Sequence, residues 1–363
     1  MEKQRLLYIT KSISGKKPGG RELLSEHNSN ILRGVFGANF SIFAVAIKKE
    51  NNMVRLIRGL RGLNDGVSDT IMIEISNRIK SDATTIVFID GSNLGSIAKV
   101  IKSRFPSIQV ITYFHNIESK FFLDSLLQAF SIRSLFIFLS NYLAERKAAN
   151  FSDRVICLNK RDSDILKRYF KRSATHICPL TLIRPTTPCM YSERNLPSGP
   201  FALFVGGGFY ANVQGIRYYN KHIAPHIQLP LYVIGHGIED KLRDIELSSR
   251  IYIQGSVENL EPWYRRASFV VAPILSGSGM KTKVAEAMMY GKKIVGTPEA
   301  FVGYEFALPS AGWCCTTPKE FLNACISAAD NSSVSYHSGL VTIYEKFFSP
   351  TAAFARFSEI FGQ

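Results

Sequence analysis

Ser276 to Thr297 reads SGSGMKTKVAEAMMYGKKIVGT, and the order of residue types in this stretch decides the fold. Just ahead of it, Phe269–Ile274 (FVVAPI) is a short apolar run of the kind that forms a buried strand. The small residues Ser276-Gly277-Ser278-Gly279 then make a turn, and a helix is expected to open at Met280 or Lys281. Gly291 ends that helix, and the apolar run Lys293–Gly296 gives a second strand at once. Strand, glycine-rich loop, helix and strand make one βαβ unit, with its loop at the carboxyl edge of a parallel sheet, where open α/β sheets take ligands. The first amides of the helix have no partner within it. With Lys281 and Lys283 in the first turn they make an anion site suited to a diphosphate.

This stretch resembles the nucleotide-binding segment of family 4 retaining glycosyltransferases of the GT-B fold. Within that family it is most similar to a bacterial subgroup that reads G-S-G-x-x-x-K-x-x-E-A-x-x-x-G-K-x-I-V-x-T. The resemblance implies an α/β architecture of two Rossmann-like domains, their parallel sheets facing across a cleft, with a C-terminal helix that crosses back to the first domain. In the wider family two glutamates stand eight positions apart; the second holds the ribose hydroxyls and the first touches the donor sugar. Glu286 matches the second, and Ser278 stands where the first would be. The resemblance thus places Ser278, Gly279, Met280, Thr282 and Glu286 at the donor.

The chain has 363 residues, enough for two domains with their own cores. Its 46% hydrophobic and 20% charged content is that of a soluble globular protein. Six cysteines show no metal-ligand spacing and read as reduced thiols of a cytoplasmic protein; MEKQRLLYIT at the start has no apolar signal core. The net charge of +15 is lopsided: 28 Lys and Arg face 15 Asp and Glu in residues 1–180, against 16 and 14 in residues 181–363. That asymmetry favours an anionic partner for the first half. No nucleic-acid motif accompanies it, so an anionic membrane surface is expected rather than nucleic acid.

In the first half, Arg5–Thr10 reads as a strand, followed by a loop ending in Gly19-Gly20 and by a helix near 22–35. In the resembling family a Gly-Gly here faces the donor diphosphate, which puts Gly19 and Gly20 at the donor. Strands at Phe40–Ile47, Thr84–Asp90 and Gln109–Phe114 alternate with helices near 68–80 and 93–104, a pattern for a parallel sheet covered on both faces. After the last of these strands comes His115-Asn116-Ile117-Glu118, similar to the H-N-x-E phrase of many family members, whose histidine approaches the reaction centre; His115 is the corresponding candidate. Phe121–Leu143 is rich in Phe and Leu. Its internal Asp124 and Arg133, with Gln, Asn and several serines, argue against a membrane span and for one or two packed or interfacial helices.

Five prolines between Pro179 and Pro200 mark a linker. The expected domains are 1–180, on the acceptor side, and 200–335, which binds the nucleotide sugar; 181–199 joins them and 336–363 returns to the first. Phe201–Val205 leads into Gly206-Gly207-Gly208, where the wider family places an Arg and a Lys on the diphosphate. Here Gly208, Tyr210 and Asn212 stand instead. Gly207, Gly208 and Asn212 are candidate donor contacts, with Lys281 or Lys283 supplying the charge. Further on, a helix is expected from the end of the strand Leu231–Ile234 to about Leu247. The resemblance places the base near His236 and Ser256. A retaining, metal-independent transfer from a nucleotide sugar to a glycan or lipid-linked acceptor is the function implied, in bacterial surface polysaccharide or lipopolysaccharide assembly, peripheral to the inner face of the cytoplasmic membrane. A catalytically silent glycan-binding subunit and a nucleotide-sugar epimerase are the alternatives. No cofactor is expected, and no Asp-x-Asp triplet suited to a metal is present.

Overall fold

A computed structural model describes residues 4–12, 20–47, 51–128, 130–185, 196–330 and 335–362. The chain divides into two compact units, residues 1–181 with 353–363 and residues 182–352.

The first unit runs β1 (Leu6–Lys11), α1 (Gly20–Phe36), β2 (Phe40–Val45), α2 (Asn52–Leu60), α3 (Asp69–Ser81), β3 (Ile86–Asp90), α4 (Gly95–Arg104), β4 (Gln109–Phe114), α5 (Glu118–Gln128), α6 (Ile132–Phe151), β5 (Arg154–Cys157), α7 (Lys160–Phe170) and β6 (His176–Ile177). Its sheet has the order β2-β1-β3-β4-β5-β6, parallel throughout, with Leu7 opposite Ser41 on one side and Val87 on the other. Helices cover both faces, so the inner strands β1, β3 and β4 are apolar at almost every position and buried there, while β2, at the edge, alternates. Order reverses between β1 and β3, which makes the carboxyl ends of those strands the switch point of this sheet.

Phe121–Leu143 contributes to α5 and α6, two helices with Leu126 and Ser140 buried and Leu127, Phe130 and Ile132 exposed. Among the described residues no helix is long and apolar enough to cross a membrane. Backbone contact sets the place of α6. A Cβ at Gly95 would lie 2.3 Å from the Ala144 carbonyl oxygen, and one at Gly62 would lie 2.9 Å from the Ala144 nitrogen.

The second unit runs β7 (Ala202–Val205), α8 (Tyr210–His222), β8 (Leu231–Ile234), α9 (Ile238–Lys241), β9 (Ile251–Gly255), α10 (Glu261–Arg266), β10 (Phe269–Ala272), α11 (Thr282–Met289), β11 (Ile294–Gly296), β12 (Gly312–Cys314), α12 (Pro318–Asp330), α13 (Ser338–Phe347) and α14 (Pro350–Phe361). The parallel order β12-β11-β10-β7-β8-β9 puts this switch point between β7 and β10. From Ala353 onward α14 belongs to the first unit, where Phe357 meets Phe88 edge-on at 6.0 Å and Phe361 meets Phe36 at 4.9 Å. These contacts account for the aromatic content of the tail.

Two expectations need correction, and one element is new. α2 has no counterpart in the sequence reading. The helix expected to reach Leu247 stops at Lys241, because side chains of α8 hold the following backbone out of helix: Arg217 pairs with Asp244 at 2.5 Å, and Asn220 bonds the Glu246 carbonyl and the Ser248 amide. α11 begins at Thr282 rather than at Met280 or Lys281.

Gly95→Ala is expected to lower stability by about 1–3 kcal/mol through overpacking against α6. Gly339→Ala, which meets nothing within 4 Å inside α13, should be neutral or stabilising. Urea denaturation of both variants measures the contrast, and equal effects would contradict it.

Candidate functional site

Two glycine loops flank the switch point of the second sheet, one after β7 and one after β10. The first loop lies against the turn after β8 with almost no space between backbones. A Cβ at Gly207 would come within 2.9 Å of the His236 oxygen, and one at Gly208 within 2.3 Å of the Gly237 oxygen. Only glycine allows this approach. Asn212, in the first turn of α8, donates to the Gly207 carbonyl at 3.0 Å and accepts from the Lys283 ammonium at 2.9 Å. Lys283 itself comes from α11, 6% exposed, with its nitrogen 3.9 Å from the centroid of Phe204. Burial holds its pKa down to about 7, against the opposing pull of Glu286 and with a smaller contribution from Lys281.

Glu286 lies one turn further along α11 and accepts a hydrogen bond of 2.7 Å from the Tyr264 hydroxyl. Burial raises its pKa, and the Tyr264 bond and Lys283 counteract that rise. Tyr264 is fixed in turn by stacking on Tyr290, with centroids 5.1 Å apart and planes at 18°.

Lys281 does a different job from Lys283. Its ammonium donates to the Gly279 carbonyl at 2.8 Å and the Ser278 carbonyl at 3.4 Å, and it pairs with Glu299 at 2.9 Å. It therefore clamps the second glycine loop to the loop after β11. Met280 is buried beneath Gly303, where an added Cβ would touch its side chain at 2.8 Å. Thr282 opens α11, and neither α8 nor α11 has a side-chain cap. Exposed His236 and Ser256, at the ends of β8 and β9, face each other at 3.3 Å. Lys283, Asn212, Gly207 and Glu286 thus form one cluster, while Lys281, Ser278 and Gly279 form the adjoining clamp.

In the first unit, Gly20 opens α1 and Gly19 lies outside the described residues. His115, just past β4, points Nε2 at the fully buried Asp90 carboxylate at 3.0 Å, and Thr10 adds a hydroxyl at 3.3 Å. Burial works against the Asp90 charge, but His115 and the hydroxyls of Ser25 and Tyr8 outweigh it and hold the carboxyl below its ordinary range. An ionised carboxylate only accepts, so Nε2 is the nitrogen that donates. Nδ1 is buried with no hydrogen-bond partner among the described residues. Close by, the buried Glu145 accepts from the amides of Glu118 and Ser119 at 2.8 and 2.9 Å and from the Ser92 hydroxyl, anchoring the start of α5. Burial pushes its pKa up to about 7.

Residues 199–331 match the family described as Glycosyl transferases group 1. That match lies within the second unit. Around it, the whole chain has the GT-B fold. It is similar to sucrose-phosphate synthase from Thermosynechococcus elongatus (14% identity, 99% of each chain, TM-score 0.74) and to HepE of Anabaena in complex with UDP and glucose (11% identity, 99% of this chain and 100% of that one, TM-score 0.70). It is also similar to the lipopolysaccharide outer core galactosyltransferase WaaB in its apo form (15% identity, 99% of each chain, TM-score 0.64). Comparison with curated protein sequences gives no match. Among the described residues, no three His, Cys, Asp or Glu side chains converge as metal ligands.

None of Tyr264, Glu299, Asp90 and Glu145 is a candidate site residue in the sequence reading, although Glu299 lies in a loop expected to border the donor. A carboxylate closing the apolar strand IVFID was a visible signal for Asp90; the other three join their partners only through the tertiary fold.

A depressed lysine pKa has a signed consequence. Between pH 7 and the ordinary lysine range the unfolded chain holds a proton that folded Lys283 has released, so stability rises with pH there. Urea titrations at pH 7 and 9 should show a gain of about 2 kcal/mol that Lys283→Met loses; an unchanged slope in that variant would refute the assignment.

Proposed function

We propose that the chain is a retaining glycosyltransferase that moves a sugar from a nucleotide-sugar donor to a glycan or lipid-linked acceptor of bacterial surface polysaccharide. The observation that carries this reading is the pairing on α11 of Lys283, at the glycine loops, with Glu286, held by Tyr264. The capture of UDP and glucose by HepE, and the description of WaaB as a lipopolysaccharide galactosyltransferase, support the donor class and the setting.

In this reading the donor diphosphate lies against the open amides of α11 and against Lys283. An arriving dianion restores the proton that burial had removed from the lysine. As the bond between anomeric carbon and diphosphate oxygen breaks, negative charge grows on the leaving group. A preorganised cation and amides in a low-dielectric setting stabilise it, at about 2–4 kcal/mol for each donor. No divalent metal has that role here. Glu286, an acceptor only, takes the ribose hydroxyls, and His236 with Ser256 borders the base. His115, oriented by Asp90, acts on the acceptor side, and the face of the first unit carrying α2 meets an anionic membrane. Met53, Ile57 and Leu60 of α2 are 62%, 55% and 56% exposed, and Leu127, Phe130 and Ile132 between α5 and α6 are 77%, 74% and 83% exposed. Arg55, Arg61 and Arg133 stand among them, a composition suited to anionic headgroups.

Ser278 at the position of the family's first glutamate favours the second reading, a silent glycan-binding subunit. UDP-glucose calorimetry and a donor-hydrolysis assay in buffer with EDTA separate the two. The wild type should bind and slowly hydrolyse the donor, and Glu286→Ala should lose at least tenfold in affinity or rate. Binding without turnover would favour the silent subunit, and an unchanged Glu286→Ala would remove the donor assignment. Co-sedimentation with phosphatidylglycerol vesicles at low salt tests the membrane contact, which fails if the protein stays in the supernatant.

A further inference from the structure

The first unit holds a cavity of about 760 Å³, walled by α2, α5 and α6. This volume is in the range of ligand pockets and well beyond what a lone phosphate fills. One wall is apolar, built from Phe122, Phe136 and Ile137. α2 lies directly on that wall, since a Cβ at Gly59 would meet the Phe136 ring at 2.2 Å. Arg21, Arg55, Arg58 and Arg133 line the cavity as well.

The carboxylates at the inner end are already answered. Asp65 faces Lys11 at 3.4 Å and Arg21 at 3.8 Å, and Glu118 faces Arg21 at 3.9 Å. Arg58 is held at the wall through the Val67 carbonyl. Arg55 and Arg133 have no carboxylate within 4.0 Å among the described residues, so their positive charge is left for a ligand. Outward, α2 and the tip between α5 and α6 continue as exposed apolar side chains, so an apolar chain leaving the cavity stays in contact with the protein.

We infer that this cavity binds the acceptor as an anionic amphiphile, with its phosphate or diphosphate at Arg55 and Arg133 and its apolar chain along Phe122, Phe136 and Ile137. The role as acceptor site rests on the glycosyltransferase reading; the binding itself does not. A sugar hydroxyl next to the phosphate would then be carried toward Asn93 and Glu118, which line the inner end of the same cavity.

Calorimetry with geranyl phosphate tests the inference, with geraniol, inorganic phosphate and UDP-glucose as separate arms on the same preparations. Geranyl phosphate should bind at least tenfold more tightly than either fragment. The double variant Arg55→Gln/Arg133→Gln should weaken it at least tenfold, with thermal unfolding and UDP-glucose affinity unchanged. Equal binding by the double variant, or phosphate as tight as geranyl phosphate, would overturn the inference. So would no geranyl phosphate binding by a protein that still binds UDP-glucose, which would leave the donor reading standing. Loss of UDP-glucose binding in the wild type would instead strike the donor reading.

Discussion

Lys283 carries its ammonium into a place where a positive charge is costly: against the ring of Phe204, beneath two glycine loops, with one asparagine oxygen as its neutral partner. Much of the second unit is shaped around that placement. The loop after β7 must be glycine because the turn after β8 runs within contact distance of it. Asn212 can then reach the lysine from the first turn of α8, and the βαβ crossover brings α11 to the same sheet edge. Burial without a full countercharge is unfavourable for folding. A group kept there at that cost is poised to gain from an anion, and the pKa near 7 expresses the same imbalance.

The first unit solves a similar problem with the opposite sign. Asp90 is a carboxylate at the end of a buried strand, made tolerable by His115 and by the hydroxyl of Thr10. Gly91, at φ +125, follows it, and an added Cβ there would collide with Arg21 and Asn93 at 2.8 Å. Glu145 secures the start of α5 from the side. Both sheets therefore place their titratable groups at the strand ends where order reverses, as expected for α/β ligand sites.

The parts of this arrangement that were legible in the sequence are local. The 269–297 stretch reads as strand, loop, helix and strand from its pattern of residue types, and Lys283 and Glu286 fall one helical turn apart by count. What the sequence left open lies in long-range partners. Nothing near position 281 tells that its ammonium is taken up by Glu299, whereas that of Lys283 turns to Asn212. Tyr264 reaches Glu286 across 22 positions and Asp90 reaches His115 across 25. α2 went unread although its apolar and basic residues segregate at helical period; in the fold its apolar residues Met53, Ile57 and Leu60 face outward. The overlong helix after β8 failed because its end is set by two side chains of α8.

Proton uptake on donor binding tests the central claim most directly. UDP-glucose titrated near pH 7.5 in buffers of different ionisation enthalpy should draw a fraction of a proton into the protein as Lys283 recharges, and Lys283→Met should abolish that uptake. Binding with no proton uptake, or with the same uptake in Lys283→Met, would show that the diphosphate is held elsewhere.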